Sequence, residues 1–212
     1  MLIGRTDAVC IAATGSGKTG AYLIPAGVLV DDTFVIVEPT QQLKDQVTMV
    51  AQQLGLQNVH IFLPKMLDSL KQLIEQKIAS KQKLHLVLDE CDLILESHQH
   101  YATKLLQLFQ SVSMDQRSIH LFSASATAGV LYTASTFLAH SVTMTLPGGN
   151  APSLNVVHSF SFISNPVHKA FVLNQLLLEN KPPVLVFCEH PEEAAKFVKS
   201  RMPFGVIGRS LT

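Results

Sequence analysis

The sequence has no excess of charge of either sign. Its 16 lysines and arginines are matched by 16 aspartates and glutamates, and the pI is near 7.1. A neutral chain has no global field to draw in nucleic acid, so binding of that kind has to come from a local surface. Nothing in the charge pattern indicates a preference for DNA. Charged residues make up only 15% of the chain against 47% hydrophobic, which excludes a self-repelling disordered polymer and leaves a core-forming protein. Cysteine is scarce and odd in number: Cys10, Cys91 and Cys188, each in or beside an expected strand. That excludes a disulfide framework and reads as reduced, buried thiols of an intracellular protein, in cytoplasm or nucleus. No apolar stretch reaches eighteen residues, so no membrane partner is expected. The opening MLIGRTDAVC lacks the layout of a signal peptide and begins almost inside a strand, which points to a piece of a longer protein. Internal repeats and low-complexity tracts are also missing.

What is present is concentrated in AATGSGKT, Ala12 to Thr19, set between an apolar run (Ala8 to Ala13) and an apolar helical pattern (Ala21 to Val30). Strand, small-residue loop, Gly-Lys-Thr and helix are the context of a phosphate-binding loop. Ala13, Thr14, Gly15, Ser16 and Gly17 can turn successive N–H groups around an anion, and the helix starting near Lys18 adds the positive end of its dipole. Lys18 is expected to reach the β- and γ-phosphates of ATP, and the Thr19 hydroxyl to hold Mg²⁺. The first position is Ala12 where the usual pattern has glycine; the bland alternative is a Gly/Ser turn before an ordinary helix.

Strands and helices then alternate. The patterns predict strands at Asp7 to Ala13, Phe34 to Val37, Val59 to Leu63, Leu84 to Leu88, Ile119 to Phe122 and Val142 to Leu146. Helices are predicted from Lys18 to about Gly27, over Gln41 to Leu54 (N-capped by Thr40), Met66 to Ile78 and Tyr101 to Phe109, and around Val130 to Phe137. Pro147 to Pro152 is the clearest linker, and the rhythm restarts beyond it. Strands are expected at Val156 to Ile163, Val184 to Cys188 and Gly205 to Ile207, with helices at Val167 to Leu178 and Pro191 to Met202. The fold class is α/β, a parallel sheet with function on the loops at the strand C-termini. Phe160 and Phe162 alternate as core residues would.

LHLVL runs straight into Asp89-Glu90-Cys91-Asp92. An acidic residue at the tip of a buried strand, following a phosphate loop, is where a nucleotide's Mg²⁺ is held. Asp89 is expected to bind that ion, partly through water, and Glu90 to act as general base or orienter for the attacking water. The alternative is a solvated acidic turn capping the next helix. His98 and His100 nearby fit no zinc spacing, and Lys71, Lys77, Lys81 and Lys83 read as a solvated face.

AATGSGKT followed by DECD resembles the DEAD-box ATP-dependent RNA helicases, with cysteine in the third place as in the DECD subgroup. GRTDAVCIAATGSGKTGAYLIP is similar to that family's opening segment, PTQQLKDQV to its PTRELAxQ element, and VLVFCEHPEEAAKFV to the first element of its second RecA-like domain. LFSASATAGVLYTASTFL resembles the family's FSAT segment with Ser123-Ala124-Ser125 in the SAT place; Ser125-Ala126-Thr127 is the second choice of register. The resemblance implies a RecA-like P-loop NTPase domain over 1–146, shortened internally and lacking the adenine-reading glutamine motif. It implies a linker over 147–155 and part of a second RecA-like domain over 156–212. It also implies that Asp92 hydrogen-bonds Ser123 and Ser125, coupling nucleotide state to RNA.

The departures bear on activity. Gln41 and Gln42 stand where the family has arginine and glutamate, removing an RNA-phosphate contact. The fifty residues from Pro39 to Asp89 are fewer than usual; the GG element is missing, and TPGR survives at best as Leu63-Pro64-Lys65-Met66. The resemblance therefore implies an ATP-dependent RNA helicase with weakened RNA contacts, low in activity as this chain, with protein partners possible. The alternative is a degenerate helicase core that binds nucleotide or a protein without unwinding.

Overall fold

The computed structural model describes residues 6–138, 141–146, 156–157, 159–180, 183–188 and 190–201. The chain divides into two compact units, Met1–Ser153 and Leu154–Thr212.

Unit one is built on six strands: β1 (Ala8–Ile11), β2 (Thr33–Val37), β3 (Val59–Phe62), β4 (Leu84–Leu88), β5 (Arg117–Ser123) and β6 (Val142–Thr145). They form one sheet in the order β3-β2-β4-β5-β1-β6, every pair parallel. The central strands are apolar on both faces, as a sheet covered on both sides requires. Val9, Ile11, Val35, Val37, Leu86 and Leu88 point to one layer of helices. The intervening Cys10, Ile36, Val87 and Phe122 point to the other. On the second face lie α1 (Lys18–Val28) and α2 (Gln41–Gln53), anchored through Tyr22, Leu23, Val47 and Ala51. On the first lie α3 (Leu67–Ala79), α4 (Cys91–Ser97), α5 (Gln99–Ser111) and α6 (Ala128–Phe137), contributing among others Leu70, Ile74, Ile94, Leu105, Phe109 and Val130.

The lower, N-terminal ends of β1 and β5 are fastened by a buried ion pair. Arg117 Nη1 lies 3.3 Å from both Asp7 carboxylate oxygens, its Nε donates to Val112 O, and Asp7 Oδ1 accepts from Ile119 N at 2.8 Å. Beside it, Asp32 Oδ2, His85, Ser118 and His120 form a continuous hydrogen-bonded chain with steps of 3.0, 2.9 and 2.8 Å. An ionised Asp32 can only accept, so His85 donates from Nε2. Ser118 then donates to His85 Nδ1 and accepts from His120 Nε2. This leaves His120 Nδ1 as a buried acceptor with no partner.

Two readings need correction. The single helix expected at Tyr101 to Phe109 is longer, and α4 precedes it, beginning directly on the acidic tetrapeptide; the two meet at His98. In unit two the helices α7 (Pro166–Glu179) and α8 (Pro191–Arg201) form, but the described residues of 156–163 and 184–188 pair into no strand. β-Branched apolar composition favours an extended chain, yet a strand exists only where a neighbour completes its hydrogen-bond ladder. For the same reason Phe160 and Phe162 are not core residues in this unit: they are 92% and 97% exposed. The strand expected at Gly205 to Ile207 and the linker at 147–155 lie outside the described residues.

Candidate nucleotide site at the C-terminal edge of the sheet

In a parallel sheet all strand C-termini open onto one edge, and the residues singled out in the sequence converge there. β1 feeds the loop Ala12 to Gly17. Gly15 and Gly17 have φ of 80° and 91°, a region closed to most side chains. A Cβ at either would meet nothing within 4 Å, so it is backbone conformation that calls for glycine here. Gly17 caps α1 without any side-chain hydrogen bond, which leaves the first-turn amides available to an external acceptor. Thr14, Gly15, Ser16 and Gly17 are exposed and Ala13 and Thr19 half-buried.

Lys18, the first residue of α1, is buried. Its Nζ is ion-paired with Glu90 Oε1 at 3.0 Å and has no further partner among the described residues. An ammonium has three donors; a buried one with a single carboxylate beside it fits an anion with several acceptor oxygens, such as a polyphosphate.

Asp89 and Glu90 follow β4. Asp89 is buried; its Oδ1 accepts from Glu90 N at 2.9 Å, and its Oδ2 accepts from the Tyr22 hydroxyl at 2.7 Å. Burial pushes its carboxyl above the usual range. Glu90 adopts the left-handed conformation, φ 43° and ψ 49°, at a cost of about 1–2 kcal/mol for a residue with a Cβ. That turn starts α4 and brings the Glu90 carboxylate back over Lys18. Cys91 is buried, and burial with the surrounding carboxylates raises its thiol pKa strongly. It fills core rather than offering a nucleophile.

The third component is the turn after β5. Ser125 Oγ donates to Asp92 Oδ2 at 3.0 Å, whereas Ser123 closes its own turn, donating to Ser125 O and accepting from Ser125 N. Only Ser125 of the two expected hydroxyls reaches Asp92, and Asp92 Oδ1 stays buried without a partner. Thr127 caps α6 by accepting from Val130 N.

Sequence reasoning missed two members of this cluster. Glu38 ends β2, is 1% exposed, and has its Oε1 3.4 Å from the Tyr22 hydroxyl. Burial, reinforced by Asp89 and Glu90, pushes its carboxyl up to about 8. Tyr22 lies one turn beyond Thr19 on α1. Glu38 has a signal in the sequence, an acid at the tip of an apolar strand; Tyr22 has none.

Residues 1–63 match the DEAD/DEAH box helicase family. The ATP-dependent RNA helicase ROK1 of Kluyveromyces lactis is 25% identical, aligned over 89% of this chain and 39% of its own. The ATP-dependent RNA helicase dbp3 of Aspergillus terreus is 27% identical over 95% of this chain and 49% of its own. In sequence the chain is similar to DEAD/DEAH box helicases. A solved structure of a hypothetical ATP-dependent RNA helicase from Sulfolobus tokodaii superimposes with a TM-score of 0.56 at 24% identity, covering 94% of this chain and 64% of that one. The sheet is thus RecA-like in fold. The chain spans about two fifths and about half the length of these two curated relatives. No helix among its described residues is long and apolar enough to cross a membrane.

Proposed function

We propose that the chain carries the nucleotide-binding half of an ATP-dependent, DEAD-box RNA helicase, of the subgroup with cysteine in the third place of the acidic motif. The observation that carries this reading is the buried Lys18 ammonium, paired with Glu90 alone among the described residues and set between an uncapped helix N-terminus and the Asp89–Glu90 strand tip. On this reading the loop amides of residues 13–17 and Lys18 Nζ hold the phosphate chain of ATP. Thr19 and Asp89 hold Mg²⁺, which when bound neutralises phosphate charge. Glu90, released from Lys18 as the ammonium turns to phosphate, orients a water and takes its proton. Asp92 and Ser125, joined directly, carry the nucleotide state towards RNA, with Ser123 shaping the turn. The region up to 146 then forms the ATP-binding domain, and 156–212 part of a second RecA-like domain.

The test is ATP turnover with and without RNA for the parent, Lys18→Ala and Glu90→Gln, made both in this chain and in a longer form that includes its flanking sequence. RNA-stimulated turnover abolished by both substitutions supports the enzyme. Nucleotide binding without turnover in the longer form supports the scaffold reading. That alternative draws on Gln41, which is exposed and tied to Asp45 Oδ1 at 2.7 Å, where the resemblance calls for an RNA-contacting arginine.

A further inference from the structure

We propose that Tyr22 is a positioning residue for the divalent cation, locking the Asp89 carboxylate to the helix that carries Thr19. The inference rests on the nucleotide-site reading above and adds to it a residue that its motifs do not name. The phenol is fully buried and has one proton to give. Two carboxyl groups face it, Asp89 Oδ2 at 2.7 Å and Glu38 Oε1 at 3.4 Å. The shorter distance decides for Asp89. The other Asp89 oxygen accepts from Glu90 N, so each oxygen is pinned by one donor and the carboxylate plane is fixed. One hydroxyl thus joins α1, the helix that also carries Thr19, to the tip of β4 across 67 residues of sequence. Its ring is held independently, edge-on to Phe122 at 5.4 Å between centroids. Position and hydrogen bond can thus be separated: Tyr22→Phe keeps the packing and deletes only the donor.

The experiment titrates Mg²⁺ against a fluorescent ATP analogue bound to the full 212-residue chain, for the parent and Tyr22→Phe, with affinity in EDTA measured alongside and folding followed by thermal melting. The expected result is an Mg²⁺ half-saturation raised about tenfold in Tyr22→Phe, the scale of one lost charge-assisted hydrogen bond, with affinity in EDTA unchanged. Equal half-saturation in the two proteins overturns the inference while leaving the nucleotide site standing. A proportional loss in Mg²⁺ and in EDTA also overturns it, since the hydroxyl would then serve only to hold the fold. Absence of Mg²⁺-dependent binding in the parent overturns the site reading and this inference with it.

Discussion

Gly17, Glu90 and Ser125 show how much of the site is set by single residues. Gly17 holds φ at 91° with open space around it, so Gly17→Ala adds backbone strain of about 1–2 kcal/mol without a clash. A melting temperature lowered by a few degrees, with a larger fall in nucleotide affinity measured by titration, is expected. Ser125→Ala removes the one hydroxyl bonded to Asp92 among the described residues, where the other Asp92 oxygen already lacks a partner. It should cost about 1–3 kcal/mol in chemical denaturation and reduce RNA stimulation of turnover more than basal turnover. Lys18, Asp89 and Glu90 were legible in the sequence because each sits in a short motif that needs local chain geometry. Tyr22 was not, because its meaning arises only when α1 packs across the tips of β2 and β4, whereas Glu38 carries a signal as an acid at the tip of an apolar strand.

At the scale of elements, the strands of unit one could be read from composition because each is a run of apolar residues bounded by polar or turn residues. The sheet order could not: it depends on which strand tips share an edge, and the buried Asp7–Arg117 pair that ties β1 to β5 spans 110 residues. Breaking such a pair leaves one buried charge uncompensated. Arg117→Ala is expected to cost about 3–5 kcal/mol in urea denaturation, and Asp7→Asn combined with Arg117→Met to recover part of that loss. The strand readings at 156–163 and 184–188 went astray for the complementary reason. Their residues favour extension, but nothing local supplies the neighbouring strand. Large apolar side chains are left exposed, Leu185 and Phe187 by 83% and 81%. The 212-residue chain should therefore bind a hydrophobic dye such as ANS, and Phe160→Ser with Phe162→Ser should lower that signal without moving the unfolding transition of unit one.

The whole molecule integrates two opposed proton linkages. Burial lowers His120 to about 3 from 6.5. Below pH 6.5 the unfolded chain takes up a proton that the folded one refuses, so stability falls as pH drops from 6.5 towards 3. Burial raises Glu38 to about 8 from 4.5, and Asp89 shifts the same way. Between pH 4.5 and 8 the folded state holds a proton that the unfolded one has released, so this contribution falls as pH rises. Each group acting alone gives a slope of up to about 1.4 kcal/mol per pH unit. Measured by denaturation in magnesium-free buffer, the His120 and Glu38 contributions cancel between pH 4.5 and 6.5, and the Asp89 shift, of the same sign as that of Glu38, moves the expected stability maximum to the acid side of that window. Glu38→Gln should flatten the alkaline decline, and His120→Gln should flatten the acid one. Equal slopes in parent and variants would show that these groups do not set the profile.

The distribution of sulfur has a practical reading. Cys10 and Cys91 are buried within the packed layers of unit one, while Cys188 in unit two is only half-buried, and burial pushes both enclosed thiols towards the unreactive protonated form. Under native conditions a maleimide fluorophore should therefore attach at one place without any cysteine being engineered away. The natural chain thus comes equipped with a single handle from which unit two can be watched while nucleotide is titrated in.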